Sequence, residues 1–226
     1  MTGVKVYGLP ISTCTSTVMI CLHEKQIHFQ LLHVDLFNGE HKQPPFLAIN
    51  PFGQIPALED CDLTLFESRA ITSYIANKHK ETGPDLLLQH QTPREEAIVK
   101  QWMKVESHHY NPAISRIIHE FFTAHLRGHK PNQHLIDQNL EHLGTVLDVY
   151  EKRLGATKYL AGPRYTLADL HHLPCTFYFM KTPWASMIND RPNVKAWWDN
   201  ISSRPAFLKV IEGMDNFDFG GDNKKK

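Results

Sequence analysis

The sequence lacks the features that mark disulfide-stapled, metal-binding and membrane proteins. Its four cysteines stand far apart and include no CxxC pair, which argues against a disulfide framework and a structural zinc site. The chain has no run of about 18 apolar residues, and no basic segment followed by an apolar stretch opens it. We therefore expect a cytoplasmic protein with free thiols that neither spans nor binds a membrane.

The sequence also lacks an excess of charge of either sign. Lys and Arg together number 24, and so do Asp and Glu, so no long-range field attracts nucleic acid. The 15 histidines include the adjacent pairs His108/His109 and His171/His172, which do not have the i, i+4 spacing of metal ligands on one helix face. We expect no metal cofactor and no nucleic-acid partner.

The first third of the chain alternates between strand-like and helix-like patterns. Periodicity and turn residues predict the order βαβαββα. The predicted elements are a strand at VKVY, a helix over 13–25, a strand over 27–36, a short helix over 45–49, a hairpin formed by IPALE and LTLF, and a helix over 68–79. This order predicts an α/β domain over residues 1–80.

The rest of the chain has only helical periodicity. Residues 81–91 combine charge, Gly and Pro, which is typical of a linker. Two capping boxes, at Thr92–Glu95 and Thr166–Asp169, predict helix starts. A last amphipathic helix is predicted over 194–210, with Trp197 and Trp198 packed in the core or between the domains. Residues 92–226 are therefore predicted to form an all-α domain.

Four stretches of the sequence are similar to plant glutathione transferases of the phi class. They are NPFGQIPALED, LFESRAITSYIA, YTLADL and VKAWWDNISSRP, and the similarity covers almost the whole chain. The resemblance implies a thioredoxin-like N-terminal domain that holds glutathione, a helical-bundle C-terminal domain that forms a hydrophobic pocket, and a homodimer. It implies a detoxifying transferase that conjugates the glutathione thiolate to hydrophobic electrophiles, with glutathione as co-substrate. The same site could reduce organic hydroperoxides.

The resemblance also implies which residues bind glutathione. Pro56 is expected to be cis, so that the backbone of Ile55 can pair with the peptide of glutathione as a short extra strand. Glu67 and Ser68 stand where a helix begins, a position that favours a carboxylate of the ligand. The family pattern adds His41, Lys42 and Gln54 as groups that reach the same tripeptide.

The stretch GLPISTCTSTV contains the residue that matches the catalytic serine of the family, Ser12. Ser12 is expected to donate a hydrogen bond to the glutathione sulfur, assisted by the backbone N–H of Thr13. Cys14 is the alternative reactive group, but two residues along a helix turn a side chain by about 200°, so Ser12 and Cys14 cannot face one sulfur. Thr15, Ser16 and Thr17 are interpreted as capping or packing groups.

The electrophile pocket implied by the resemblance contains Ile11, Phe37, His119, Phe122, Phe177 and Tyr178. Phe52 is interpreted either as a dimer anchor or as packing within its own loop. Thr17 stands where family members commonly have an arginine, which leaves a non-catalytic carrier of plant secondary metabolites as an alternative function. A thiol–disulfide exchanger that uses Cys14 is a further alternative.

Overall fold

The computed structural model describes residues 3–88, 92–124 and 129–215. It consists of two compact units. The first unit contains the chain up to Pro93 together with Arg204–Asp215, and the second contains Arg94–Ser203. Residues 89–91 of the predicted linker lie outside the described residues.

The first unit has the predicted order of strands and helices and a thioredoxin-like fold. Its elements are β1 (Val4–Gly8), α1 (Thr13–Glu24), β2 (Phe29–His33), a 3₁₀ turn (Glu40–Lys42), α2 (Pro44–Leu47), β3 (Ala57–Asp60), β4 (Leu63–Phe66) and α3 (Ser68–Lys78). The strands form one sheet in the order β2-β1-β3-β4. Strand β1 is parallel to β2 and antiparallel to β3, which is antiparallel to β4.

The register of the sheet brings four chain connections to one edge. Tyr7 pairs with Ala57 and Ala57 with Phe66, while Gly8 pairs with His33. The carboxyl ends of β1, β2 and β4 therefore meet the amino end of β3. The segments that follow or precede these ends carry the residues expected to bind glutathione.

Strand β2 ends earlier than the predicted limit at residue 36. Val34 remains buried, but the Asp35 carboxylate accepts hydrogen bonds from the backbone N–H groups of Phe37 and Asn38, at 3.0 and 2.9 Å. This aspartate turn takes the chain out of the sheet. The apolar alternation at Val34 and Leu36 thus reflects burial in a loop rather than strand pairing.

The second unit is helical in the part of it that the structure describes. Its helices are α4 (Pro93–Val105), α5 (Asn111–Thr123), α6 (Gln133–Leu154), α7 (Leu167–Leu170), α8 (Leu173–Phe179), α9 (Ser186–Asn189) and α10 (Pro192–Ser202), with a π-helical turn (Glu106–Tyr110) between α4 and α5. Buried polar side chains pair in its core. The Tyr110 hydroxyl lies 2.7 Å from Thr176 Oγ1, and the Tyr150 hydroxyl 2.9 Å from His172 Nε2.

The predicted capping box at Thr166–Asp169 is confirmed and also ties α7 to α10. The Asp169 carboxylate accepts from the backbone N–H of Thr166 and, at 2.9 Å, from Nε1 of Trp197. Trp197 and Trp198 are both buried, as expected for core residues. A single fully buried aspartate therefore connects a helix start to the core.

The prediction of one last helix over 194–210 is wrong. The helix breaks before Pro205, which lacks an N–H and disfavours a helical conformation in the residue before it. The chain continues as α11 (Pro205–Asp215), which belongs to the first unit. The structure thus differs from the predicted division, which placed all residues from 92 onward in the second domain.

Candidate active site

Two helix N-termini lie at the edge of the sheet where the strand ends meet. Helix α1 follows β1, and α3 follows β4. Neither helix has an acidic residue in its first turn. The unpaired N–H groups and the positive dipole ends of both helices therefore favour an anion at this edge.

Ser12 is the N-cap of α1. Its backbone is extended, with φ −73° and ψ 121°, and its Oγ accepts a hydrogen bond from the backbone N–H of Thr15 at 3.3 Å. A serine hydroxyl can accept and donate at the same time. The O–H hydrogen of the half-buried Ser12 thus remains available to a ligand atom, next to the first-turn residue Thr13.

Two of the hydroxyl groups that follow Ser12 bond to backbone carbonyls of α1 and of the turn before it. Ser16 Oγ donates to the carbonyl of Pro10, and Thr17 Oγ1 donates to the carbonyl of Thr13 at 2.9 Å. The Thr15 side chain is buried. The interpretation of these residues as packing and capping groups is consistent with these contacts. Cys14, the alternative reactive group, is half-buried.

The segment that precedes β3 is braced by a buried amide. The Ile55–Pro56 peptide bond is cis, as expected. Asn50 is buried, and its Nδ2 donates to the carbonyl of Gln54 at 2.6 Å while its Oδ1 accepts from the backbone N–H of Phe52 at 3.1 Å. Both ends of the Asn50 amide thus hold the loop that presents Gln54 and Ile55. Sequence reasoning missed this residue.

The loop with His41 and Lys42 is fastened to the same segment. Lys42 Nζ donates to the carbonyls of Phe52 and Gly53, at 3.0 and 2.8 Å. Gly53 has φ +57°, and a Cβ there would lie 2.6 Å from the carbonyl oxygen of His41. The two loops are therefore closely packed. His41 Nδ1 is buried without a hydrogen-bond partner among the described residues.

Glu67 and Ser68 occupy the start of α3, as predicted from the sequence. Glu67 is exposed and has φ +69° and ψ 107°, a conformation that is strained for a residue with a Cβ. Ser68, the first residue of the helix, is buried. A strained residue at a helix N-terminus is typical of a functional site.

The residues predicted for the electrophile pocket are divided between the two units. In the first unit, Ile11 is half-buried and Phe37 is 64% exposed. In the second, the Tyr178 ring lies 5.8 Å from that of Phe122 and 5.4 Å from that of Phe177, which forms an aromatic cluster. His119 is exposed and lines a surface cavity of about 270 Å³ between α5 and α6.

Metal and membrane features are absent from the parts of the chain that the structure describes. No group of three or more His, Cys, Asp or Glu side chains in residues 3–88, 92–124 and 129–215 could hold a metal ion. No helix within those residues has the length and apolar character needed to cross a bilayer.

Comparison with known proteins identifies the family. The model of the glutathione S-transferase N-terminal domain matches residues 2–77, and that of the C-terminal domain matches residues 110–205. The chain belongs to the glutathione S-transferase family. Glutathione S-transferase F13 from Arabidopsis thaliana is 60% identical over 212 residues, which cover 94% of this chain and 96% of that protein.

Solved structures of plant transferases match both units. Glutathione transferase F7 from Populus trichocarpa gives a TM-score of 0.92 at 66% identity and covers 95% of this chain and 100% of that one. Glutathione S-transferase I from maize, in complex with an atrazine glutathione conjugate, gives 0.89 at 38% identity, with 96% and 100% coverage. This transferase thus has the phi-class relatives that its motifs predict.

Proposed function

We propose that this transferase conjugates the thiolate of glutathione to hydrophobic electrophiles and that the Ser12 hydroxyl stabilises the thiolate. The observation that carries the proposal is the position of Ser12, whose hydroxyl caps α1 and keeps its hydrogen for a ligand. The maize relative, solved with a glutathione conjugate in place, supports this chemistry for the fold.

The Ser12 hydroxyl and the N-terminus of α1 can together supply the free energy needed to lower the pKa of the glutathione thiol. A free cysteine-type thiol has a pKa near 8.5, so few molecules are ionised at neutral pH. Lowering the pKa by about two units requires roughly 2.7 kcal/mol in favour of the anion. A hydrogen bond to a charged group contributes about 1.5–3 kcal/mol, and the positive end of α1 adds to it.

Glutathione is proposed to bind along the edge of the sheet. Its peptide pairs with the backbone of Ile55, and the amide of Gln54 contacts the same peptide. Its γ-glutamyl end lies at α3, where Ser68 donates to the carboxylate and Glu67 accepts from the ammonium group. His41 and Lys42 serve the glycine carboxylate, and the backbone N–H of Thr13 assists Ser12 at the sulfur.

Ile11, Phe37, His119, Phe122, Phe177 and Tyr178 remain the residues proposed to contact the electrophile, as the resemblance implies. Aromatic side chains with few polar groups suit an apolar substrate. The same thiolate is proposed to reduce organic hydroperoxides, in which case two glutathione molecules are oxidised to the disulfide while the hydroperoxide becomes an alcohol and water.

The Ser12→Ala variant tests the proposal. We expect turnover with a chloronitroaromatic substrate to fall by about ten- to a thousandfold, equivalent to about 1.4–4 kcal/mol, with a smaller effect on glutathione affinity. Alanine also removes the helix cap, which costs about 1 kcal/mol of stability. Ser12→Asn is the control, because asparagine caps helices as well as serine but places an amide at the sulfur.

Two outcomes of this experiment are informative. Equal losses of turnover in the alanine and asparagine variants would assign the effect to the hydroxyl rather than to helix stability. An unchanged rate in Ser12→Ala would remove Ser12 from the mechanism and return Cys14 to consideration.

A further inference from the structure

Helix α11 runs antiparallel to α1 in the first unit. Where α11 begins, the Arg204 guanidinium donates twice to the Glu24 carboxylate, with Nε–Oε1 at 2.5 Å and Nη2–Oε2 at 2.7 Å. The Glu24 side chain is only 6% exposed, and Glu24 is the last residue of α1. Near the other end of α11, Gly213 lies against Pro10, which precedes α1. The two helices are thus held together at both ends.

The close contact between Gly213 and Pro10 is possible because glycine has no side chain. A Cβ added at Gly213 would lie 2.7 Å from Cβ of Pro10 and 3.3 Å from its Cγ. Non-bonded carbon atoms prefer about 3.5–4.0 Å. Glycine inside a helix is otherwise unfavourable by about 1 kcal/mol relative to alanine. The glycine therefore allows the end of α11 to lie directly on Pro10.

Pro10 belongs to the turn that presents Ser12. The backbone N–H of Ser12 donates to the carbonyl of Leu9 at 3.0 Å, and the carbonyl of Pro10 accepts from Ser16 Oγ. These bonds leave the turn little freedom. A displacement of Pro10 would therefore carry Ser12, two residues further along, with it.

We infer that α11 positions the catalytic turn and that Gly213 is a positioning residue for the glutathione reaction, an inference that rests on the proposed role of Ser12. The helix begins at Pro205, where the match to the C-terminal domain model ends. Phe207, Val210 and Met214 are buried and anchor the helix in the first unit. Its last turn, through Gly213, restricts the position of the turn that carries the Ser12 hydroxyl.

The test is the pH profile of kcat/KM for the conjugation of a chloronitroaromatic by Gly213→Ala. The added methyl group must push Pro10 and the turn away from α11, so Ser12 stabilises the thiolate less well. We expect kcat/KM to fall about tenfold near neutral pH, since small displacements of a catalytic group cost one to two orders of magnitude. The loss should shrink as the pH rises, because the thiol then ionises without help.

Gly144→Ala is the matched control. Gly144 lies inside α6, and a Cβ there would lie 3.5 Å from Met187 Cε, an ordinary contact. Both variants replace a helical glycine by alanine, which on its own favours the helix. We expect Gly144→Ala to keep the wild-type pH profile and an equal or higher melting temperature.

The outcomes separate this inference from the proposed function. A wild-type pH profile in folded Gly213→Ala, together with a lost rate in Ser12→Ala, would overturn the positioning role and leave the function intact. An unchanged rate in Ser12→Ala would overturn both, since no catalytic hydroxyl would remain to be positioned.

A second variant covers the case in which Gly213→Ala fails to fold. Arg204→Lys keeps the charge at the start of α11 but loses the two-pronged geometry of the guanidinium. A loss of kcat/KM near neutral pH that is smaller than about tenfold and shrinks as the pH rises would support the positioning role. A wild-type profile in Arg204→Lys would then overturn it.

Discussion

At the scale of single residues, the site is supported by side chains that bond to backbone. Ser12 accepts from the N–H of Thr15, Lys42 donates to two carbonyls, and Asn50 uses both ends of its amide. Such bonds fix the turns that present the ligand-binding groups. Ser12 and Lys42, which are proposed to contact glutathione, therefore also hold the turns of the site, whereas Asn50 only holds its turn.

Lys42→Met is expected to raise KM for glutathione several-fold with little change in kcat. Methionine removes both hydrogen bonds to the loop of Gly53, so the binding surface loosens while the groups at the sulfur stay in place. Steady-state kinetics with varied glutathione measures this. Lys80→Met, at an exposed lysine of the same unit, is the control. A fall in kcat with KM unchanged would contradict the expectation.

The candidate site could be predicted only in part from the sequence. The predicted helix starts place Ser12 and Ser68 at helix N-termini, where Ser12 caps α1 through its side chain, but the resemblance is what assigns both to glutathione. His41 and Lys42 came from the resemblance alone, since nothing local marks them. Asn50 could not be assigned, because its bonds depend on a turn that becomes visible only in three dimensions.

At the scale of elements, the order of strands and helices in the first unit followed from periodicity. The end of β2 could not be predicted from periodicity, because a buried loop residue such as Val34 continues the apolar alternation of the strand. The break between α10 and α11 had a visible cause in Pro205. What periodicity cannot show is that the segment after the break packs on α1, because that contact spans the whole chain.

The buried carboxyl of Asp169 predicts a pH-dependent stability of the second unit. Burial raises the pKa of Asp169 to about 6, although Leu160, Trp197 and Thr166 donate to it. An unfolded aspartate has a pKa near 3.9. Between about pH 4 and pH 6 the folded protein therefore holds a proton that the unfolded chain has released. The stability from this proton is fully present below about pH 4 and is lost as the pH rises through about 6.

Asp169→Asn removes this titration. The variant should be less stable than the wild type, because an amide cannot accept all the hydrogen bonds of the carboxylate. Its free energy of unfolding should fall below that of the wild type at both pH values. The gap should be ~1–3 kcal/mol smaller at pH 7 than at about pH 4.5, because only the wild type loses stability as Asp169 ionises. Denaturant titrations measure the difference, with exposed Asp190→Asn as control. A deficit that grows with pH would contradict the assignment.

At the scale of the whole molecule, we expect two chains to associate through an exposed aromatic residue. Phe52 is 65% exposed, and its ring lies 5.9 Å from that of Phe66, which fixes its direction without covering it. An aromatic side chain held in this way is costly to leave in water and suits the centre of an interface. We propose that the chain forms a homodimer and that Phe52 anchors it.

Phe52 and Phe37 provide controls for each other, because they are equally exposed. We expect Phe52→Ala to shift sedimentation velocity profiles toward the monomer at micromolar concentration, since the anchor is lost. Phe37→Ala should leave the dimer intact and raise KM for the apolar electrophile, because Phe37 is proposed to contact that substrate. A monomeric Phe37→Ala, or a fully dimeric Phe52→Ala, would contradict these roles.

The most direct test of the mechanism is the pKa of the thiol of enzyme-bound glutathione, measured by the ultraviolet absorbance of the thiolate across a pH titration. In the wild type we expect a value about two units below that of the free thiol, and in Ser12→Ala a return toward about 8.5. The same lowered pKa in both proteins would show that another group ionises glutathione and would contradict the role of Ser12.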